Sequence, residues 1–228
     1  MRRLRAAQFF HEAGVTRYAF GIEYDGSGFK GWQRQTQEPH TVQAAVEDAL
    51  AKVADHPVAV TCAGRTDAGV HASGQVIHFD TQAKRDLRGW LLGTNSNLPP
   101  EVSATWVREM PESFHARFKA VARQYRYVIL NRDIRPALGR VELTWVHRPL
   151  DATLMQAASR HLTGRHDFSA FRSVECQAKQ PVRDLKRLDV RREGERIVID
   201  ALADGFLHHM VRNIVGVLLE IGQGKRDP

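Results

Sequence analysis

The chain has 228 residues, of which 43% are hydrophobic and 26% are charged, so its composition is that of a globular protein rather than a disordered one. Its 33 Lys and Arg against 26 Asp and Glu give a net charge of +7, which favours a polyanionic partner. From composition alone, a protein that is basic without binding a polyanion is an equal alternative. No apolar run approaches the ~18 residues that span a bilayer, so we expect no transmembrane segment.

The cysteine content predicts a reduced, cytoplasmic setting. The two cysteines, Cys62 and Cys176, cannot build a disulfide framework. Residues 1–15 are expected to form a basic N-terminal extension. They lack the apolar core of ~7–15 residues that marks a secretory signal.

Hydrophobic periodicity predicts six elements in the first half, in the order strand, helix, strand, strand, helix, strand. They cover residues 16–24, 41–53, 58–62, 74–80, 86–92 or beyond, and 102–107. Thr41 stands where a helix N-cap is expected, and Asp86 stands at the start of the second helix. This order is the ferredoxin-like pattern.

The second half begins in the same way. A strand, a helix, a pair of strands and a helix are predicted at residues 124–130, 151–162, 185–191, 196–202 and 207–221. We therefore expect two α+β halves, at residues 16–118 and 119–228. The second half lacks its last strand, so either that strand is absent from this chain or the repeat is wrong.

The densest candidate for chemistry is the segment from Gly64 to Ala72, in which Gly64 and Gly69 bracket Arg65 and Asp67. Glycine permits positive φ and a close approach of a ligand to the backbone. Such a loop can hold one carboxylate rigidly beside a cation, as a nucleophile or a general base requires. The alternative, which turn chemistry alone favours, is an ordinary turn in which Asp67 caps its own backbone.

Several long motifs occur in a fixed order along the chain, and together they resemble the tRNA pseudouridine synthase A family. The likeness covers nearly all of residues 18–224. The motifs are Tyr24–Phe29 with Gly31–Gln35, Gly64–Ala72 with Gly74–Phe79, Ser113–Phe118 with Arg123–Tyr127, Gly164–Arg172, and Phe206–Gly216.

The resemblance implies an α+β pseudouridine synthase fold. Two ferredoxin-like halves would join in a mostly antiparallel sheet, with the active-site cleft between them. Family members continue beyond the last motif with a further helix and strand. The strand that is missing from the repeat is thus also missing relative to the family.

The resemblance also implies an activity. The chain would isomerise uridine to pseudouridine at positions 38, 39 and 40 of the tRNA anticodon stem-loop, breaking the C1′–N1 bond and forming a C1′–C5 bond. Asp67 matches the catalytic aspartate, either as a nucleophile or as the base that removes a ribose proton. Both roles need an ionised carboxylate, which a neighbouring cation favours. The resemblance further implies tRNA as partner, a homodimer, and no metal or cofactor.

Three other residues match named positions of the family. Tyr125 matches the tyrosine that stacks on the target base, Arg212 the arginine that pairs with the aspartate, and Arg65 the arginine beside it. Their ordinary alternatives are strand packing for Tyr125, an exposed helix position for Arg212 and a salt bridge for Arg65. Contacts with RNA are expected among six other basic residues in the motifs or beside them, namely Lys30, Arg34, Arg117, Arg123, Arg126 and Arg172.

Two other functions compete with this interpretation. A non-catalytic RNA-binding protein of the same fold would not need Asp67, Tyr125 and Arg212 together. A hydrolase of the glycosidase type would need a second carboxyl group near Asp67, and the matched motifs offer none there apart from Asp25 and Asp80, whose location the sequence does not give. The spacing of Cys62 and the nearby histidines fits no standard zinc pattern, so we expect no metal.

Overall fold

The structure is a computed structural model that describes residues 14–228, so almost all of the expected N-terminal extension lies outside the described residues. The chain divides into two compact units, the first ending at Lys119 and the second running from Ala120 to Pro228. Each unit has its own sheet, its own helices and its own hydrophobic core. Over residues 14–228, no helix combines the length and the apolar character that crossing a membrane requires.

The first unit has the ferredoxin-like order of elements. They are β1 (Thr16–Tyr24), α1 (Val42–Ala54), β2 (Thr61–Cys62), β3 (Ala72–Thr81), α2 (Leu87–Asn97) and β4 (Val102–Met110). The strands pair in the order β2-β3-β1-β4, and every neighbouring pair is antiparallel. This arrangement confirms the predicted β-α-β-β-α-β pattern.

Local sequence explains where the two helices of the first unit begin. The Thr41 hydroxyl accepts a hydrogen bond from the Ala44 amide at 3.3 Å, and the Asp86 carboxylate caps α2 by accepting from the Gly89 amide. Each side chain satisfies one of the amides that the first turn of a helix leaves unpaired. α1 then buries its apolar face in the core of the unit, which includes Trp32 and Trp90.

The second unit contains five strands and two α-helices. They are β5 (Arg123–Asn131), β6 (Thr144–Val146), α3 (Ala152–Leu162), β7 (Gly164–Asp167), β8 (Val182–Glu193), β9 (Arg196–Ala203) and α4 (Met210–Gly222), with a 3-10 turn at Ser169–Phe171. The sheet order is β6-β5-β9-β8-β7. All neighbours are antiparallel except β5 and β6, which are parallel. The ladders thus define one sheet in each unit, and the mixed content of strands and helices agrees with the α+β fold that the resemblance implies.

Several boundaries differ from the predictions. The strand expected at 58–62 is confined to Thr61–Cys62, because the Val60 amide donates to Glu47 Oε1 at 3.1 Å instead of to a strand. α4 starts at Met210 rather than at residue 207. His209 has a left-handed φ of 61°, which is incompatible with a continuous right-handed helix.

Two strands of the second unit, β6 and β7, were not expected from the sequence. β6 has only three residues and pairs with the end of β5, from Ile129 to Asn131. β7 pairs with the first residues of β8. Within the described residues no strand follows α4.

Candidate active site

The loop that carries Asp67 connects β2 to β3 in the first unit, and its ends are tied to the sheet. The Gln75 side chain on β3 donates to the Gly64 carbonyl at 2.5 Å and accepts from the Gly64 amide at 3.4 Å. Inside the loop, the Val70 amide donates to the Asp67 carbonyl at 3.2 Å. Asp67 is half-buried and Arg65 is exposed. The loop therefore presents a carboxylate and a cation from one anchored turn.

A second loop, residues 25–33, packs against this turn backbone to backbone. The Trp32 amide donates to the Thr66 carbonyl at 3.0 Å, and the Gly69 amide donates to the Phe29 carbonyl at 3.4 Å. At Gly31, where φ is +92°, an added Cβ would lie 2.9 Å from the Thr66 carbonyl oxygen. Any side chain there would press on the residue that precedes Asp67.

Two side-chain contacts fasten the same pair of loops. The Tyr24 hydroxyl lies 2.8 Å from the Thr66 hydroxyl, and His71 Nδ1 lies 3.0 Å from Asp25 Oδ1. The backbone amide of Ser27, followed by its hydroxyl and by His71, holds the pKa of the Asp25 carboxyl below its usual range. Asp67 thus lies between two tethered residues, one on each side along the chain.

Cys62, at the start of the loop, is not built as a nucleophile. Burial raises the pKa of its thiol to about 11, although Arg65 and Arg117 oppose that shift. A thiol with this pKa stays protonated near neutral pH, and the protonated form is a poor nucleophile and metal ligand. Among the groups of this loop, the carboxylate of Asp67 is the better candidate for chemistry.

The second unit brings Tyr125 and the last motif together. Tyr125 lies on β5 opposite Ala201 of β9, and its half-buried ring meets Phe206 edge-on at a centroid distance of 5.0 Å. Phe206 opens the segment that leads into α4, where Arg212 is exposed. The Asn213 side chain on the same helix donates to the Phe171 carbonyl at 2.9 Å. Three motifs that are far apart in sequence are therefore neighbours within this unit.

The six basic residues expected to contact RNA differ in their surroundings. Arg34 pairs with Glu47 and Asp48, at 3.0 Å and 3.2 Å. Arg126 makes two hydrogen bonds to the buried carboxylate of Asp200, at 2.8 Å and 3.2 Å, and holds the pKa of that carboxyl below its usual range. These two charges are already offset within their own units.

Of the other four basic residues, Arg123 and Arg117 make contacts of other kinds. Arg123 donates to the Asp204 carbonyl at 2.7 Å. The guanidinium of Arg117 lies 5.9 Å from the centre of the Phe118 ring, which is a cation–π geometry. Lys30 and Arg172 are exposed.

Sequence reasoning did not single out the hydroxyl pair of Tyr24 and Thr66, or Phe206. All three belong to the quoted motifs, but nothing local in the sequence pairs residues 24 and 66. The alternation of β1 indicates only that Tyr24 shares a sheet face with Phe20 and Ile22.

Comparison with known proteins decides the family. The profile of a family described as "tRNA pseudouridine synthase" matches residues 22–119 and 158–228. The chain belongs to this family. The matched residues include Asp67 and Arg212, whereas Tyr125 falls between the two matched segments.

Curated relatives agree with this family assignment. The tRNA pseudouridine synthase A of Pseudomonas aeruginosa is 57% identical over 214 residues, which cover 94% of this chain and 75% of the relative. That of Methylococcus capsulatus is 58% identical over 93% of this chain and 78% of its own. A Legionella pneumophila relative of the same name is 55% identical over 92% of this chain and 79% of its own.

Proposed function

We propose that this member of the tRNA pseudouridine synthase family isomerises uridine to pseudouridine at positions 38, 39 and 40 of the tRNA anticodon stem-loop, with Asp67 as the catalytic carboxylate. The C1′–N1 bond breaks, uracil turns, and a C1′–C5 bond forms. C5 then loses its proton and N1 carries one, so product and substrate have the same atoms. The balance needs no oxidant or reductant.

The observation that carries this proposal is the way the Asp67 loop is held. Backbone contacts at Thr66 and Gly69 fasten it to the loop over residues 25–33, and Gln75 fastens it to the sheet. A carboxylate that attacks C1′, or removes a ribose proton, must meet its target within a few tenths of an ångström. An ordinary solvated turn would not require such anchoring.

Tyr125, Arg65 and Arg212 are the proposed substrate-binding residues. Stacking of an aromatic ring on a base contributes about 1–3 kcal/mol, and Tyr125, whose ring packs edge-on with Phe206, is the proposed platform for it. Arg65 is the proposed backbone contact or filler for the space that the target base vacates, since enzymes of this type take their base out of the stack. Arg212 is proposed as the cation that accompanies the catalytic carboxylate.

The proposed RNA-facing residues are the six basic residues named above. Two of the six, Arg34 and Arg126, share their charge with carboxylates of the chain, so each would have to exchange that partner for a phosphate. Each phosphate contact releases counterions, so the affinity for tRNA is expected to fall steeply as the salt concentration rises.

The decisive test is tritium release from a tRNA transcript that carries 5-tritiated uridine. The wild-type chain should release tritium, and Asp67→Asn, which keeps the shape and removes the charge, should lose turnover while still binding tRNA. Asp133→Asn, at an exposed loop position, is the matched control and should behave as wild type. Turnover near wild type in Asp67→Asn would remove Asp67 from the mechanism. A wild-type chain that binds tRNA without releasing tritium would instead be a non-catalytic RNA-binding protein.

A homodimer in the cytoplasm is also proposed. The dimer rests on the resemblance to the family, and light scattering of the purified chain tests it directly. The cytoplasmic setting is supported by two free cysteines, of which Cys62 is buried in the first unit. Fractionation of cells that express the natural protein tests the location.

A further inference from the structure

We propose that Tyr24 is a positioning residue for the reaction, and that its hydroxyl acts through Thr66 to hold the Asp67 carboxylate in place. This inference rests on the proposed catalytic role of Asp67. Tyr24 is the last residue of β1, whereas Thr66 is the residue immediately before Asp67. The 2.8 Å contact between their hydroxyls therefore connects the end of a sheet strand to the side chain of the residue before Asp67.

The phenol of Tyr24 is itself rigidly held. Its side chain is 4% exposed, and its ring packs at a centroid distance of 5.9 Å from the ring of Trp32, which is 1% exposed. Trp32 in turn donates its amide to the Thr66 carbonyl at 3.0 Å. Thr66 is thus held at two points, at its hydroxyl by Tyr24 and at its carbonyl by Trp32. Both partners belong to the hydrophobic core of the first unit.

These two contacts act on the residue immediately before the candidate catalytic carboxylate. The peptide unit that carries the Thr66 carbonyl also carries the Asp67 amide, so fixing Thr66 at two points fixes the position from which the Asp67 side chain departs. Carboxylate chemistry at a sugar carbon tolerates displacements of only about 0.5 Å. We expect that loss of the hydroxyl contact leaves the fold intact but lets the turn that carries Asp67 move by more than this tolerated displacement.

The second unit offers a matched pair of the same chemistry. The Tyr127 hydroxyl on β5 lies 2.6 Å from the Thr144 hydroxyl on β6, and both residues are half-buried. Tyr127→Phe removes the same atom from the same kind of contact. It therefore reports what the loss of a Tyr–Thr hydroxyl pair does to stability at a contact that does not involve the Asp67 loop.

The test compares Tyr24→Phe, Thr66→Val, their double variant and Tyr127→Phe in the tritium-release assay, with Tm measured on the same samples. We expect Tyr24→Phe to lower kcat about 10-fold or more, with KM changed by less than about twofold, because the hydroxyl pair orients the carboxylate and does not bind RNA. Thr66→Val should match it, and the double variant should fall no further, because both changes remove one shared contact. Thr66→Ser, which retains a hydroxyl at this position, should keep most of the wild-type kcat.

Two results would overturn the inference. One is wild-type kcat in Tyr24→Phe, and the other is a loss of kcat that Tyr127→Phe reproduces at an equal loss of Tm, since that would reflect stability alone. Asp67→Asn, assayed in parallel, separates this failure from failure of the proposed function. If Asp67→Asn keeps its turnover, the catalytic assignment is wrong; if it is inactive while Tyr24→Phe is normal, only the positioning role is wrong.

Discussion

Replacement of Gly31 by alanine is expected to lower both the activity and the stability of the chain. Gly31 has a φ of +92°, which an L side chain rarely adopts, and its missing Cβ faces the backbone of the Asp67 loop. The ideal Cβ would lie 2.9 Å from the Thr66 carbonyl oxygen, 3.1 Å from the Ala68 amide nitrogen and 3.2 Å from the Asp67 carbonyl carbon. None of these atoms is the end of a flexible side chain, so the loop itself must move.

The size of the effect follows from these distances. An ordinary contact of a Cβ begins at 3.4 Å, so the Thr66 carbonyl must retreat by about 0.5 Å, the tolerance of a functional group. A displacement of ~1 Å can cost about 100-fold in rate, and we therefore expect kcat of Gly31→Ala to fall between about 10-fold and 100-fold. The unfavourable φ and the crowding together should lower the free energy of unfolding by about 3 kcal/mol.

Tritium release gives kcat, and urea denaturation gives the free energy of unfolding. Gly194→Ala is the matched control, because Gly194 also has a positive φ, of +60°, yet an added Cβ there meets nothing within 4 Å. It should lose about 1 kcal/mol of stability and keep its kcat. If folded Gly31→Ala turns over as fast as Gly194→Ala, the idea that close packing of these two loops sets the position of Asp67 is wrong.

Two further predictions concern stability. Burial lowers the pKa of His78, and the nearby charges of Arg17 and His115 act in the same direction while Asp80 opposes them. The Nδ1 atom of His78 accepts a hydrogen bond from the Ala116 amide. The imidazole therefore binds a proton more readily in the unfolded chain than in the folded one. Tm should therefore be maintained above pH ~6.5 and fall as the pH drops below that value. The fall should be smaller in His78→Asn than in the control His161→Asn, which changes an exposed residue near the end of α3. Equal falls of Tm in both variants would show that His78 is not the group responsible. Thr94→Val should raise the free energy of unfolding, measured by urea denaturation, by about 1 kcal/mol. The reason is that the buried Thr94 hydroxyl has no hydrogen-bond partner among the described residues. A loss of stability would instead show that this hydroxyl has a hydrogen-bond partner.

The elements of the first unit were largely predictable because their signals are local. Alternating apolar residues mark β1 with its observed bounds, and Thr41 marks the start of α1 through its own side chain. The start of α4 was not predictable in the same way. The apolar spacing extends back to Leu207, but His209 turns left-handed, and the backbone rather than the pattern decides where the helix begins.

The short edge strands could not be found from periodicity. β6 has three residues, too few to show alternation, and it is a strand because its backbone pairs with the end of β5. The strand expected at residues 58–62 was shortened for a similar reason. The buried Glu47 carboxylate on α1 accepts the Val60 amide, and a contact between residues that far apart leaves no trace in the local sequence.

The sequence by itself determined the α+β class, the ferredoxin-like order of the first half and the candidacy of Asp67, because hydrophobic spacing, caps and glycine-bracketed turns act over a few residues. Only the tertiary structure decided which groups hold that carboxylate in place. Tyr24 and Thr66 are 42 residues apart in sequence, and their hydroxyls meet because β1 pairs with β3 as far as Tyr24 and Ala72, which brings the loops at these strand ends together. Side-chain contacts of this kind depend on the folded path of the whole unit, which no local pattern records.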